Sequence, residues 1–112
     1  MEVLFYLTNQ KYKDFDITDY LRNGAESAIS AKTLAALAGL PERIITLAVM
    51  IKRREGIPVC SNDEGYFMPT SAEEVQATIS NLKSRETEIG ITRRAMEQAL
   101  TKQFFSQLSM KS

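Results

Sequence analysis

Histidine and tryptophan are absent from this chain of 112 residues, and cysteine occurs once. Without histidine no catalytic dyad or triad can be built on imidazole, and one cysteine alone cannot hold zinc. Cys60 has no second thiol in the chain, so an intrachain disulfide framework is excluded, which fits a reducing compartment. Net charge is lacking too, because 14 Lys and Arg balance 14 Asp and Glu. No global field draws the chain to nucleic acid or to anionic membranes, so any basic surface must be local. No apolar run approaches the ~20 residues of a membrane span. The first residues, MEVLFYLTNQKYK, carry an acid at position 2 and about five apolar residues in a row, unlike the basic start and longer core of a signal peptide. A cytoplasmic location is expected.

The chain also lacks a catalytic constellation. Its paired carboxylates, Asp14/Asp16 and Glu73/Glu74, fall in a loop and in the first turn of a helix, where acids favour the helix dipole. There is no phosphate-cradling glycine loop. An enzyme is not expected, and no cofactor or metal is implied. Cys60, alternating with Val59 along a strand, reads as a small buried hydrophobe.

What is present is an ordered series of local signals. Val3-Leu4-Phe5-Tyr6-Leu7 is a short apolar run, a strand or the start of a helix, since five residues do not separate the two periods. Asp16 is placed to cap a short helix holding Ile17, Tyr20 and Leu21, and Ala28-Ile29 suits an isolated strand pair. Ser30 reads as the N-cap of a helix over 31–38, and Gly39 as its left-handed stop. Pro41 suits the first turn of the next helix, over 42–55. Two strand-forming runs, Ile57-Pro58-Val59-Cys60 and Tyr66-Phe67-Met68, then flank the turn-forming stretch 61–65, which predicts a hairpin. Ser71 with Glu74 is a capping box before a last helical region. The fold class expected is mainly α with a small β-hairpin and a C-terminal helical extension, divided into 1–70 and 71–108.

This order, with Ile29-Ser30-Ala31-Lys32-Thr33-Leu34-Ala35, the turn Ala38-Gly39-Leu40, and the stretch 54–61 returning through Gly65-Tyr66-Phe67, resembles the winged helix-turn-helix. The hairpin is similar to the wing of biotin-repressor-type domains. It is similar also to small winged-helix proteins of phages and prophages, in which a Glu-rich helix ending in Ser-Arg follows the wing, as 71–85 does here. The resemblance covers about residues 16–86. It implies a DNA-binding protein acting in transcriptional regulation or phage replication. The helix over 42–55 would then enter the major groove, with double-stranded DNA as partner. The contacts implied are Lys32, Arg43, Thr46, Met50, Arg53 and Arg54. The family's inward positions fall on Ile45, Ala48, Val49 and Lys52.

The residues themselves pull partly the other way. The stretch 44–51 is apolar nearly all round, and Leu47 and Met50 on its outward face are poor readers of base edges. Either neighbouring segments cover them, or they form a protein-binding surface on a scaffold that no longer reads DNA. Asp63 and Glu64 at the wing tip would be repelled by phosphate.

From Val75 a seam of heptad spacing runs through Ile79, Leu82, Glu86, Ile89, Arg93, Met96 and Leu100. Gly90 within it either breaks the helix, with Thr92 capping a new one that folds back, or is carried through. If the helix is continuous, the seam predicts an antiparallel homodimer, position i meeting roughly 179 minus i, so that Glu86 meets Arg93 and Ile79 meets Leu100.

Overall fold

Ser30 does cap a helix. In the structure, a computed structural model describing residues 15–111 (side chains as far as 104), its hydroxyl accepts a hydrogen bond from the Thr33 amide at the head of α1, Ala31–Ala38. Gly39 closes α1 in the left-handed conformation at φ 69°, where a β-carbon would be strained. The chain turns through Leu40 and Pro41 into α2, Glu42–Arg54, and the two helix axes bend through 102°. Upstream, Asp16 caps a 3-10 turn at Ile17–Tyr20 by accepting from the Thr18 amide and hydroxyl, and a second such turn spans Ala25–Ser27. The run 3–7, Tyr6, Tyr12 and Asp14 lie outside the described residues.

The hairpin forms where turn chemistry predicts it. Strands β1, Cys60–Asn62, and β2, Gly65–Phe67, pair antiparallel, with Cys60 opposite Phe67 and Asn62 opposite Gly65. The Asn62 side-chain oxygen accepts from the amides of Glu64 and Gly65 and so closes the turn from within. Ile29 adds the expected isolated pair, exchanging both backbone hydrogen bonds with Tyr66. Gly65 makes this possible. Its φ is 147°, and a β-carbon there would overlap the Ile29 carbonyl. Met68 continues the edge, donating to the Arg22 carbonyl and accepting from the Gly24 amide.

The core lies between these parts. Ile17, Leu34, Ala35, Ile45, Ala48, Val49 and Val59 form one buried cluster. In α2 the buried positions are Ile44, Ile45, Ala48 and Val49, a contiguous stripe at ~100° per residue. Cys60 is buried as expected, but Val59 beside it is buried too, so the two do not alternate between core and solvent, and the strand begins only at Cys60.

The last helix, α3, spans Ala72–Lys111 and continues through Gly90, with non-helical backbone only at Phe104. The fold-back at Gly90 does not occur, and Thr92 caps nothing. One glycine costs ~1 kcal/mol against alanine. That cost alone does not break a helix free of proline, even where the neighbours Ile89, Ile91 and Thr92 are β-branched. The chain divides into two compact units at Thr78/Ile79. The first turns of α3 belong to the first unit because they are tied into it. Glu74 accepts from the Thr70 amide at 2.7 Å and the Ala25 amide at 2.9 Å, and Thr78 receives the Ser61 amide at 3.2 Å. The expected capping box forms and is extended. Ser71 accepts from the Glu74 amide, and the Glu74 carboxylate takes the Ser71 amide only weakly while reaching Thr70 and Ala25 more closely.

Candidate nucleic-acid interface

The residues implied as DNA contacts separate into two groups. Arg43, Thr46 and Arg54 are exposed on α2, on the side away from Ile45 and Ala48, and Lys32 is exposed on α1. Arg43 and Arg54 lie eleven residues apart, about 16 Å along the helix axis. The Thr46 hydroxyl is 3.5 Å from the Glu42 carbonyl, a contact too long to hold it firmly. These four side chains are disposed toward solvent.

Arg53 is committed elsewhere. Its Nε donates to the Val59 carbonyl at 2.7 Å and its guanidinium donates to the Ser61 hydroxyl at 3.1 Å. A planar guanidinium spans two acceptors in a fixed fork, so it clips the end of α2 to the first strand of the hairpin. Lys52 points inward and is ion-paired with Asp16 at 3.4 Å and Glu55 at 3.8 Å. Hydrogen bonds from Thr18, helped by Lys52, hold the Asp16 carboxyl below its ordinary range. The cluster Lys52-Arg53-Arg54 is thus divided by the fold. Lys52 and Arg53 serve the domain, and Arg54 faces solvent. Arg53 carried no sequence signal of its role, because Val59 and Ser61 become its neighbours only through the turn at 55–58.

Leu47 and Met50 are half-buried. They fall between a covered core position and a free contact. The tip residues Asp63 and Glu64 are exposed, so the hairpin presents two acids at its turn. Asn62 is exposed as well, but its side chain is engaged, since its amide also donates to the Ala25 carbonyl.

Elsewhere in the first unit, Glu74 is the anchor that sequence reading assigned only to a cap. Backbone amides of Thr70 and Ala25 hold its carboxyl below the ordinary value. Among the described residues no group of three His, Cys, Asp or Glu side chains converges on one point, and no single helix is long and apolar enough to cross a membrane. Comparison with protein-family models, with curated proteins and with solved structures found no match to this chain.

Proposed function

We propose that this chain is a non-enzymatic, cytoplasmic DNA-binding protein of the winged helix-turn-helix type, acting in transcriptional regulation or in phage replication. The observation that carries the reading is the exposed row of Arg43, Thr46 and Arg54 along α2, opposite the buried stripe. Two further features support it. The 102° bend across a three-residue, glycine-containing turn is the geometry of a helix-turn-helix pair, and a hairpin follows the second helix directly. Arg43 and Arg54 would meet phosphates or a guanine edge, and Thr46 a base edge. The acidic hairpin tip would stand off the backbone, so contacts would come from α2 and from Lys32.

A second reading has its own observation. Leu47 and Met50 leave part of their apolar surface in solvent at the centre of the same face. On this reading the face captures a protein, and the chain is an accessory or inhibitor module of phage type.

Binding to random-sequence duplex DNA over a salt series tests the first reading. Affinity should fall with salt at a slope of about −0.9 per phosphate contacted. Arg43→Ala with Arg54→Ala should reduce both the affinity and the slope. No binding at low salt, or a double variant that binds like the parent, overturns it. For the second reading, Leu47→Asp should keep the melting temperature of the parent. A large drop would mean that the side chain is needed for folding, and would remove it.

A further inference from the structure

Thr78 is the last buried side chain of α3 among those described. From residue 79 to 104 every position except Gly90 is exposed, although the segment carries Ile79, Leu82, Ile89, Ile91, Met96, Leu100 and Phe104. Ile89 and Met96 stand 68% and 69% exposed. Single exposed apolar residues need no explanation, but these are organised. At ~100° per residue Ile79, Leu82, Ile89, Met96 and Leu100 fall on one stripe, and Ile91 alone points away from it. A shallow groove along that stripe is lined by Ile89, Met96 and Leu100, with Arg93 and Glu97 at its edge. An isolated helix gains little stability from its own backbone bonds, so an uncovered apolar stripe of this length needs a cover.

We infer that the cover is the same stripe of a second copy of this chain, laid antiparallel, with the two-fold axis beside Gly90. Charge selects both the occupant and its direction. Two charged residues interrupt the stripe, Glu86 and Arg93, one on each side of Gly90. With the axis between Ile89 and Gly90, Glu86 of one copy lies opposite Arg93 of the other, twice. Lys83 and Glu97 stand on one flank of the stripe, each one residue beyond a seam position. A perpendicular two-fold axis keeps the same flanks together, so Lys83 of one copy comes alongside Glu97 of the other. Within each chain the Arg93 guanidinium already donates to Glu97 at 2.7 Å. The assembled pair therefore carries two rows of alternating charge, Lys83, Glu97, Arg93, Glu86, that cross from copy to copy. A parallel pair has none of this. It sets Glu86 against Glu86 and Arg93 against Arg93, and its flanking positions bring Arg85 beside Gly90 and Thr92 beside Glu97.

Continuity through Gly90 is what makes the arrangement available, since a fold-back would have satisfied the stripe within one chain. The inference concerns α3 beyond Thr78 and stands whether or not α2 reads DNA.

Light scattering or sedimentation equilibrium on the full chain should give twice the 12.6 kDa chain mass at high micromolar concentration. Glu86→Arg and Arg93→Glu should each weaken the dimer by at least about tenfold, because each places like charges together at two symmetric points. The double variant should recover most of the loss, since it exchanges the partners. All three should keep the tyrosine near-ultraviolet signal of the first unit, which shows that the fold is intact. A monomeric mass, a mass above two copies, insensitivity to the single reversals, or a double variant no tighter than the singles overturns the antiparallel pair.

Discussion

Thr78 and Ile79 are consecutive residues of one helix, yet Thr78 is 5% exposed and Ile79 is 46% exposed. Up to Thr78, α3 is held from outside. The Glu74 carboxylate bridges Thr70 and Ala25, and the Thr78 hydroxyl receives the Ser61 amide. After Ile79 the helix finds, within one chain, only its own backbone bonds and surface pairs such as Arg93–Glu97. The same secondary structure therefore rests on two different sources of stability. Tertiary contacts can enforce a conformation that a residue dislikes, whereas a solvated helix must be made of residues that favour it.

Glycine shows the contrast most sharply. In the first unit Gly65 occupies a backbone conformation and a space that no other residue can share. Gly65→Ala should cost more than about 3 kcal/mol, through strain at the Ile29 pairing and loss of the hairpin, read as a large fall in melting temperature. Gly90 is helical, and a β-carbon there would meet only the movable end of Arg94. Gly90→Ala should instead raise helix content, worth about 1 kcal/mol to the helix. If both substitutions destabilise, Gly90 is packed against a neighbour, which the two-fold axis of the proposed pair would supply, and the comparison holds only for the separate chain.

The same division governs what could be read from the sequence. Signals confined to a few neighbouring residues were legible. The Asp16 and Ser30 caps, the Gly39 stop, the Ile29 pair and the Asn62–Gly65 turn all form as expected, because each depends on local dihedrals and short-range hydrogen bonds. The buried stripe of α2 follows the inward positions that the resemblance implied, with Ile44 joining it, and period alone could not have chosen it in a stretch apolar nearly all round. What could not be read depends on chain segments meeting in space. Glu74 looked like a capping-box acid, yet it reaches Ala25, 49 residues upstream. Arg53 looked like one more cation in a basic helix end, yet Val59 and Ser61 capture it. The continuity of α3 through Gly90 was undecidable because a penalty of ~1 kcal/mol lies close to the balance between running on and folding back.

The two arginines give the next largest effect. Arg53→Ala removes a charged donor from a half-buried backbone carbonyl and a hydroxyl. It should lower the stability of the first unit by about 1.5–3 kcal/mol, measured by urea denaturation. Arg93→Ala removes an ion pair whose two side chains are more than half exposed, and should cost the helix about 0.5 kcal/mol or less. Equal effects would mean that the Arg53 clip is as solvated as the surface pair, and that α2 and the hairpin are joined by packing alone.

The smallest expected effect is in acid, and it belongs to the first unit. Asp16 and Glu74 are both held below their ordinary values by hydrogen bonds, from Thr18 in one case and from Thr70 and Ala25 in the other. A carboxyl lowered in the folded state binds its proton less readily there than in the unfolded chain. Its contribution is therefore complete above the ordinary carboxylate range and is lost as the pH falls through the lowered value. Both groups are partly solvated, so water screens the loss and it should be modest. The tyrosine near-ultraviolet signal of the first unit should report a melting temperature that declines on acidification below that range. Glu74→Gln should lower the melting temperature at neutral pH and flatten the decline, because the amide keeps the shape of the anchor but cannot titrate. An acid profile identical to that of the parent would show that Glu74 does not tie α3 to Ala25. The boundary at Thr78 would then need another cause.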